Sequence, residues 1–370
     1  MTAEIRRERA PRRVLFLLEA LDLSGVVFAA WNLAEGLADR GVQLLVLARK
    51  GGARAEAFRR PGAEVLVDPW AGRPLLGRRA LRAVRAFRPE IVHAQSTDVL
   101  SAAMHLGHAT RAPVVATANR LEAEDGQHLA AHETVGIVAV SEAIRERLAN
   151  KAGILRDRIR VIPNGLALDR LPAPAFDQPA DARHVPAIGT YGTLRERKGQ
   201  RIFLRAAAAL LGGGTDAEFV ILGEGPDKAA LRRLAREAGI ARRVTFHPSS
   251  PQDARHIAAL DILVEPSYQE GLGLSVLQAM ALGVPVVASG VGGIYSLVED
   301  GETGTLVPRG DPEALAGAIR ELLATPERRR EQARHARELV EARFDIRRLV
   351  PDLLAFYRER LPETDPSGES

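Results

Sequence analysis

Pro266-Ser267-Tyr268-Gln269-Glu270-Gly271-Leu272-Gly273-Leu274-Ser275-Val276-Leu277-Gln278-Ala279-Met280-Ala281 follows a short apolar run, Ile262-Leu263-Val264. The run predicts a buried strand and the apolar spacing after Gly271 predicts a helix over residues 272–282, so the segment is a strand-to-helix turn. Gly271 and Gly273 allow a ligand to approach the backbone closely. The free N–H groups of a helix's first turn attract anions. Glu270 sits at the mouth of that turn. A carboxylate repels phosphate, so its natural partner there is a neutral group such as a hydroxyl. The same residues also read as a plain strand-to-helix turn with an incidental glutamate.

The alternation extends in both directions. Before residue 170, apolar runs at 13–18, 42–47, 64–67, 91–93, 114–117, 136–140 and 159–162 predict strands, and helical spacing at 26–40, 81–87, 99–108 and 142–151 predicts helices between them. After residue 186 the pattern restarts, with strands at 187–191, 218–222, 244–246, 262–264, 284–288 and 305–307 and helices at 200–211, 228–237, 272–282 and 312–323. Short continuous apolar runs separated by helices mark parallel sheets covered on both faces. The expected fold class is therefore α/β, two Rossmann-like doubly wound domains facing across a cleft. The expected boundaries are 1–170, a linker at 171–186 with prolines at 172, 174, 179 and 186, and 187–345. An amphipathic helix at 346–361 is expected to pack back on the first domain, and 362–370 to be a disordered polar tail.

Composition narrows the function. The chain has 370 residues, enough for two cores, and 46% hydrophobic against 26% charged residues, the balance of a globular protein. It holds no cysteine, which excludes disulfides, thiolate metal sites and a cysteine nucleophile. No apolar run approaches the ~20 residues of a membrane span, and the charged start followed by a short apolar strand does not read as a signal peptide. The expected location is the cytoplasm. The isoelectric point is about 9.7 on a net charge of only +4. That balance admits anionic partners such as nucleotides and acidic lipids. Aromatic residues make up 4%, and none interleaves a basic cluster as a base-stacking surface requires, so nucleic acid is not an expected partner.

Lysine occurs only at 50, 151, 198 and 228 in an arginine-rich chain, which singles out Lys198 in the loop Tyr191-Gly192-Thr193-Leu194-Arg195-Glu196-Arg197-Lys198-Gly199. Basic residues at a strand end clamp pyrophosphate well, although the loop also reads as a solvated charged turn. His128 and His132 stand at helical i, i+4 spacing, but Leu129 occupies the place of a zincin glutamate and no third ligand accompanies them, so no metal is expected. Arg78, Arg82 and Arg85 fall on one face of a basic amphipathic stretch. That face reads either as the solvated side of a Rossmann helix or as a dock for an acidic membrane. There is neither a Gly-Lys-Ser phosphate loop nor a Gly-x-Gly-x-x-Gly after the first strand.

Taken in order, a series of segments across residues 186–325 resembles family 4 of the retaining glycosyltransferases, which have the GT-B fold. It comprises Gly192 through Gly199, Leu222 through Pro226, Val244 through Phe246, Asp261 through Ser267, Glu270 through Leu274, Gly283 through Ser289, Gly292-Gly293 and Gly301 through Val307. Ser24-Gly25, Ile91 through Ala94, Val140-Ser141 and Val161 through Gly165 resemble the same family in the first half.

The resemblance implies a sugar moved from a nucleotide-sugar to an acceptor hydroxyl, in cell-envelope polysaccharide, lipopolysaccharide or glycolipid synthesis. The acceptor would be a carbohydrate or a lipid-linked molecule. The resemblance gives Lys198 to the diphosphate, with Arg195, or Arg197, supplying a second positive charge. It gives Glu270 to the sugar hydroxyls and Gly271, Leu272, Gly273 and Leu274 to phosphate and sugar. Gln278 takes the ribose, and the strand-end loop at His247 and Pro248 takes the base. Ser24, Gly25, Asn119, Thr193, Gly223 and Glu224 complete the donor's surroundings. Three positions depart from the family pattern: Gln278 stands for a second glutamate, Thr193 for an arginine, and Asn119 closes the run Ala116-Thr117-Ala118 where a histidine is usual. The departures leave room for two other readings, a nucleotide-sugar-binding protein with impaired catalysis, and a phosphorylase or epimerase of the same architecture.

Overall fold

The computed structural model describes residues 10–69, 77–120, 123–174, 185–250 and 252–362. Most of the expected linker (175–184) and nearly all of the expected tail (363–370) lie outside the described residues. The chain divides into two compact units, one running to Gly165 and resuming at Ile346, the other spanning Leu166–Asp345.

In the first unit, strands β1 (Arg13–Ala20), β2 (Gln43–Lys50), β3 (Ala63–Val67), β4 (Ile91–Ala94), β5 (Val114–Ala118), β6 (Gly136–Ala139) and β7 (Ile159–Val161) form one parallel sheet. Its order is β3-β2-β1-β4-β5-β6-β7. Val14 through Leu18 of the central β1 are buried without a break, which is why this strand reads as a continuous apolar run. The connecting helices are α1 (Gly25–Ala38), α2 (Arg78–Phe87), α3 (Leu100–Thr110), α4 (Ala123–Ala130) and α5 (Glu142–Ala152). Ser141 Oγ caps α5 by accepting from the amide of Ile144 at 3.4 Å. Arg78, Arg82 and Arg85 of α2 are exposed, and Ala80 and Val84 are its buried residues.

In the second unit, β8 (Ala187–Tyr191), β9 (Glu218–Leu222), β10 (Val244–His247), β11 (Ile262–Glu265), β12 (Val286–Ser289) and β13 (Thr305–Val307) are again all parallel, in the order β10-β9-β8-β11-β12-β13. The helices are α6 (Gln200–Gly212), α7 (Lys228–Glu237), α8 (Asp253–Ala258), α9 (Leu274–Ala281), α10 (Pro312–Ala324) and α11 (Pro326–Arg343). Asp311 caps α10 by accepting from the amides of Glu313 and Ala314, with Pro312 in the first turn. The last helix, α12 (Ile346–Arg360), belongs to the first unit and lies against α1. A Cβ on Gly36 would stand 2.6 Å from Val350, so the bare backbone at this point is what lets the two helices come together.

The α/β architecture of two doubly wound parallel sheets is the one expected, and every strand read from the sequence is present with its ends shifted by a few residues. Three helices were not read: α4, α8 and α11. Among the described residues no helix is long and apolar enough to cross a membrane.

Candidate functional site

In a doubly wound sheet the crevice for a ligand opens beyond the carboxyl ends of the strands, where the winding reverses. In the second unit the reversal lies between β8 and β11, neighbours in the sheet but far apart in sequence. The loop after β8 is Gly192–Gly199 and the loop after β11 is Pro266–Gly273, so topology alone brings the two segments singled out by sequence to one place. The amide of Tyr268 donates to Arg197 O at 2.8 Å and ties the loops together. Gly199 makes that approach feasible: its φ is +68°, and a Cβ there would stand 1.9 Å from Pro266 O.

Lys198 of the first loop and Glu270 of the second form an ion pair, the ammonium donating to Glu270 Oε1. The same ammonium stands 3.8 Å from Oε1 of Glu265, the last residue of β11. Glu265 is 1% exposed and accepts hydrogen bonds from the hydroxyls of Ser267 and Ser275. Ser267 Oγ lies also 2.9 Å from Glu270 Oε1. One ammonium, two carboxylates and two hydroxyls thus form a closed, buried polar cluster. Burial alone would lower the Lys198 ammonium, but the charges of Glu265 and Glu270 outweigh it and hold the group above the ordinary lysine value. Burial pushes the Glu265 carboxyl up; Lys198 opposes that shift, the like charge of Glu270 adds to it, and the two serines oppose it.

Sequence reasoning singled out Lys198 and Glu270 but missed Glu265. Its signal was the acid that ends an otherwise wholly apolar strand, since a buried carboxylate in such a place demands a partner.

Beside the cluster begins α9, after Gly273 in the left-handed region at φ +100°. The helix starts at Leu274, two residues later than expected, and no side chain caps its first turn, whose N–H groups remain available to an anion. Gln278 is 3% exposed and turns its Nε2 back to Leu274 O at 3.2 Å. In the β8 loop Thr193 is exposed and its carbonyl accepts from Gln200 Nε2 at 3.2 Å. Arg195 and Arg197 are exposed and stand outside the ion-paired cluster.

The strand-end loops after β9 and β10 lie on the same edge of the sheet. The amide of Gly223 donates to His247 O at 2.9 Å and that of Leu194 to Glu224 O at 2.9 Å. Exposed Glu224 pairs with Lys228 at 2.6 Å, and His247 Nδ1 lies 2.8 Å from the carbonyl of exposed Pro248.

Ser24, Gly25 and Asn119 belong to the first unit. Ser24 and Gly25 start α1 beyond the carboxyl end of β1, where that sheet in turn reverses between β1 and β4. The amide of Ser24 donates to Asp22 Oδ1 at 2.9 Å. Asn119 follows β5 and its Nδ2 donates to Gln95 O at 2.8 Å. His128 lies in α4, which ends at Ala130, so His132 stands just beyond that helix. The rings stand 5.9 Å apart, and His128 Nε2 lies 3.3 Å from Ser101 Oγ.

Residues 185–325 match the family described as glycosyl transferases group 1, and residues 23–170 match glycosyltransferase family 4. The chain is 29% identical to 2-deoxystreptamine N-acetyl-D-glucosaminyltransferase of Streptomyces fradiae over 90% of its own length and 88% of the relative's. It is 29% identical to alpha-D-kanosaminyltransferase of Streptomyces kanamyceticus over 62% of each chain, and 36% identical to a D-inositol 3-phosphate glycosyltransferase of Acidothermus cellulolyticus over 59% of its own length and 51% of the relative's. The matched stretch thus spans less than two thirds of those last two relatives. Among solved structures, Alr3699/HepE of Anabaena in complex with UDP-glucose superposes with a TM-score of 0.79 at 22% identity, covering 93% of this chain and 99% of that one. Sucrose-phosphate synthase of Thermosynechococcus elongatus superposes with a TM-score of 0.76 at 23% identity, covering 94% and 98%.

Proposed function

Because the chain belongs to the glycosyltransferases of group 1 and family 4, we propose that it takes a sugar from a nucleotide-sugar bound by the Leu166–Asp345 unit and passes it, with retention of anomeric configuration, to a hydroxyl of an acceptor bound by the first unit. The observation that carries this reading is the pairing of Lys198 with Glu270 at the switch point of the second sheet, beside the uncapped start of α9. That arrangement supplies what the two ends of the reacting bond need. The ammonium and the first-turn N–H groups stabilise charge on a leaving diphosphate, and the Glu270 carboxylate receives hydrogen bonds from sugar hydroxyls. Arg195 and Thr193 are exposed on the same loop as Lys198, from which they can add charge and a hydroxyl to the donor's surroundings.

In the reaction the bond from the anomeric carbon to the phosphate oxygen breaks and a bond from that carbon to the acceptor oxygen forms on the same face of the sugar. The acceptor's proton passes to the departing phosphate oxygen. The protein's share is orientation and charge stabilisation, with no dedicated side-chain base. The name of one structural neighbour includes UDP-glucose, which makes uridine nucleotides the first donors to try. Products in cell-envelope polysaccharide, lipopolysaccharide, glycolipid or a smaller glycoside all fit this scheme. The exposed Arg78, Arg82 and Arg85 on α2 support a contact with acidic lipid when the acceptor is membrane-borne, which flotation with anionic phospholipid vesicles measures.

The test of the transfer itself is turnover. The protein is incubated with a panel of nucleotide-sugars and acceptors, released nucleoside diphosphate is quantified, and the anomeric configuration of the product is read by NMR. Release of diphosphate with an inverted product would overturn the retaining step, and donor binding without release would overturn the enzyme.

A further inference from the structure

Ser267 stands between two carboxylates. Its Oγ lies within hydrogen-bond distance of Oε1 of Glu265 and of Oε1 of Glu270, the latter at 2.9 Å. A hydroxyl owns one hydrogen and donates it to one acceptor at a time. With both glutamates ionised, one of these contacts sets oxygen against oxygen with no proton between them. One further proton completes the row: Glu265 donates to Ser267 Oγ, and Ser267 donates to Glu270. The cluster can therefore hold a proton that two ionised carboxylates do not bring.

Burial decides which carboxylate takes it. Glu265 is 1% exposed against 8% for Glu270. The charged groups that act on Glu265 are Lys198, 3.8 Å away on the β8 loop, and Glu270. From α9 the hydroxyl of Ser275 donates to its Oε2. Arg197 acts on Lys198 from an exposed position on the same loop. Burial pushes the Glu265 carboxyl up even with Lys198 beside it. A diphosphate on Lys198 adds negative charge and takes a share of the ammonium, which leaves an ionised Glu265 buried without its counter-charge. Glu270 can then turn to sugar hydroxyls for hydrogen bonds. Glu265, closed in at the end of β11, has the two serines.

We propose that Glu265 takes up a proton when a nucleoside diphosphate claims Lys198, so that donor binding is coupled to pH through a carboxylate that the donor does not touch. The proton comes from solvent, adds to Glu265 Oε1 and returns to solvent when the nucleotide leaves. The two serines suit either state, because a hydroxyl can donate to a carboxylate or accept from a carboxylic acid. Glu265 is thus a positioning residue: ionised, it helps hold Lys198 back; protonated, it yields the ammonium to the phosphate. The assignment rests on the donor site proposed above.

The experiment counts protons. The full chain is titrated by calorimetry with uridine, guanosine, thymidine and adenosine diphosphates at pH 8, in HEPES, Tricine and Tris, whose ionisation enthalpies differ. At that pH a terminal phosphate, with a last pKa of about 6, is already ionised, so protons taken up belong to the protein. The slope of observed enthalpy against buffer ionisation enthalpy is expected to give up to about one proton taken up per nucleotide, with affinity falling up to about tenfold per pH unit above pH 8. Glu265→Gln is expected to take up none and to show a flat affinity over that range. Ser275→Ala keeps the carboxylate but removes a donor that favours its charged form, and is expected to move the window of uptake to higher pH. Should Glu265→Gln not fold, the parent's proton count and the Ser275→Ala window decide alone. Diphosphate binding that Lys198→Ala weakens, but with no proton taken up by the parent, with equal uptake in Glu265→Gln, or with a window that Ser275→Ala leaves in place, would overturn the coupling and leave the donor site standing. If no diphosphate binds, or Lys198→Ala binds them like the parent, the donor reading falls and this proposal with it.

Discussion

The ammonium of Lys198 stands 3.8 Å from a carboxylate oxygen of Glu265 while it is paired with Glu270, so one cation serves two buried anions. A diphosphate entering this site competes with both carboxylates for Lys198, and most of the behaviour expected of the site follows from that competition.

Lys198→Ala is expected to weaken nucleoside diphosphate and nucleotide-sugar alike, roughly tenfold to a hundredfold, since both contain the pyrophosphate and a charge-assisted hydrogen bond contributes ~1.5–3 kcal/mol. Glu270→Ala is expected to weaken the nucleotide-sugar selectively. Calorimetric titration of each variant with both ligands decides it. If both variants bind both ligands like the parent, the donor site lies elsewhere.

Glu265→Gln removes one competitor for Lys198 and keeps a side chain of the same shape. Nucleoside diphosphate is expected to bind up to about tenfold tighter to the variant at pH 8, a difference of ~1.4 kcal/mol. Because the Glu265 carboxyl is shifted upward by burial, lowering the pH protonates it and makes the parent resemble the variant. The gap is therefore expected to close toward acid. A gap that widens on acidification, or weaker binding by the variant at every pH, rules out the competition.

Gln278 tests whether the family's ribose contact transfers to a chain that lacks its second glutamate. Gln278→Glu is expected to tighten ribonucleotides by up to roughly tenfold and Gln278→Leu to weaken them, with 2′,3′-dideoxynucleotides indifferent to both. The bond from Nε2 to Leu274 O makes a purely helical role the rival, and under that role all these responses are flat.

Activity is expected to survive EDTA, because Lys198, Arg195 and the α9 N-terminus supply the positive charge that a metal would otherwise bring to the diphosphate. A strict requirement for added manganese or magnesium contradicts this.

His93 is buried and neutral, its folded value depressed to about 3 against 6.5 when exposed. Between those values the unfolded chain binds the proton and the folded chain does not, so stability is present above about pH 6.5 and is lost as the pH falls below it. From pH 7 to pH 5 this one group is expected to cost about 2 kcal/mol. Urea titrations of the parent and of His93→Gln measure it: the variant starts lower but is expected to have the flatter slope over that range. Equal slopes would show that His93 does not govern the acid limb.

The two sheets were legible because a parallel strand covered on both faces becomes a continuous apolar run, as Val14–Leu18 and Ile262–Val264 are. Helix α11 was not, because its 18 residues are mostly charged and bury only Gln332, Ala333, Ala336 and Val340. It is held by tertiary bonds that no periodicity announces, from Gln332 Nε2 to Gly301 O at 3.0 Å and from the Arg337 guanidinium to Ala281 O, the last carbonyl of α9. At the site, Lys198 and Glu270 were legible as types of residue at strand ends. Glu265 and the bond between His93 and Tyr357 were not, because each depends on a partner that only the folded chain supplies.

That last bond joins residues 264 positions apart, across a stretch that forms a compact unit of its own. On the ribosome, the Leu166–Asp345 unit has all its residues before the earlier-made first unit does. Until α12 emerges, the first unit lacks the helix that covers α1 and the hydroxyl that fixes His93. A chain truncated after Asp345 should therefore have a Leu166–Asp345 unit that resists protease while the earlier-made residues are still cut.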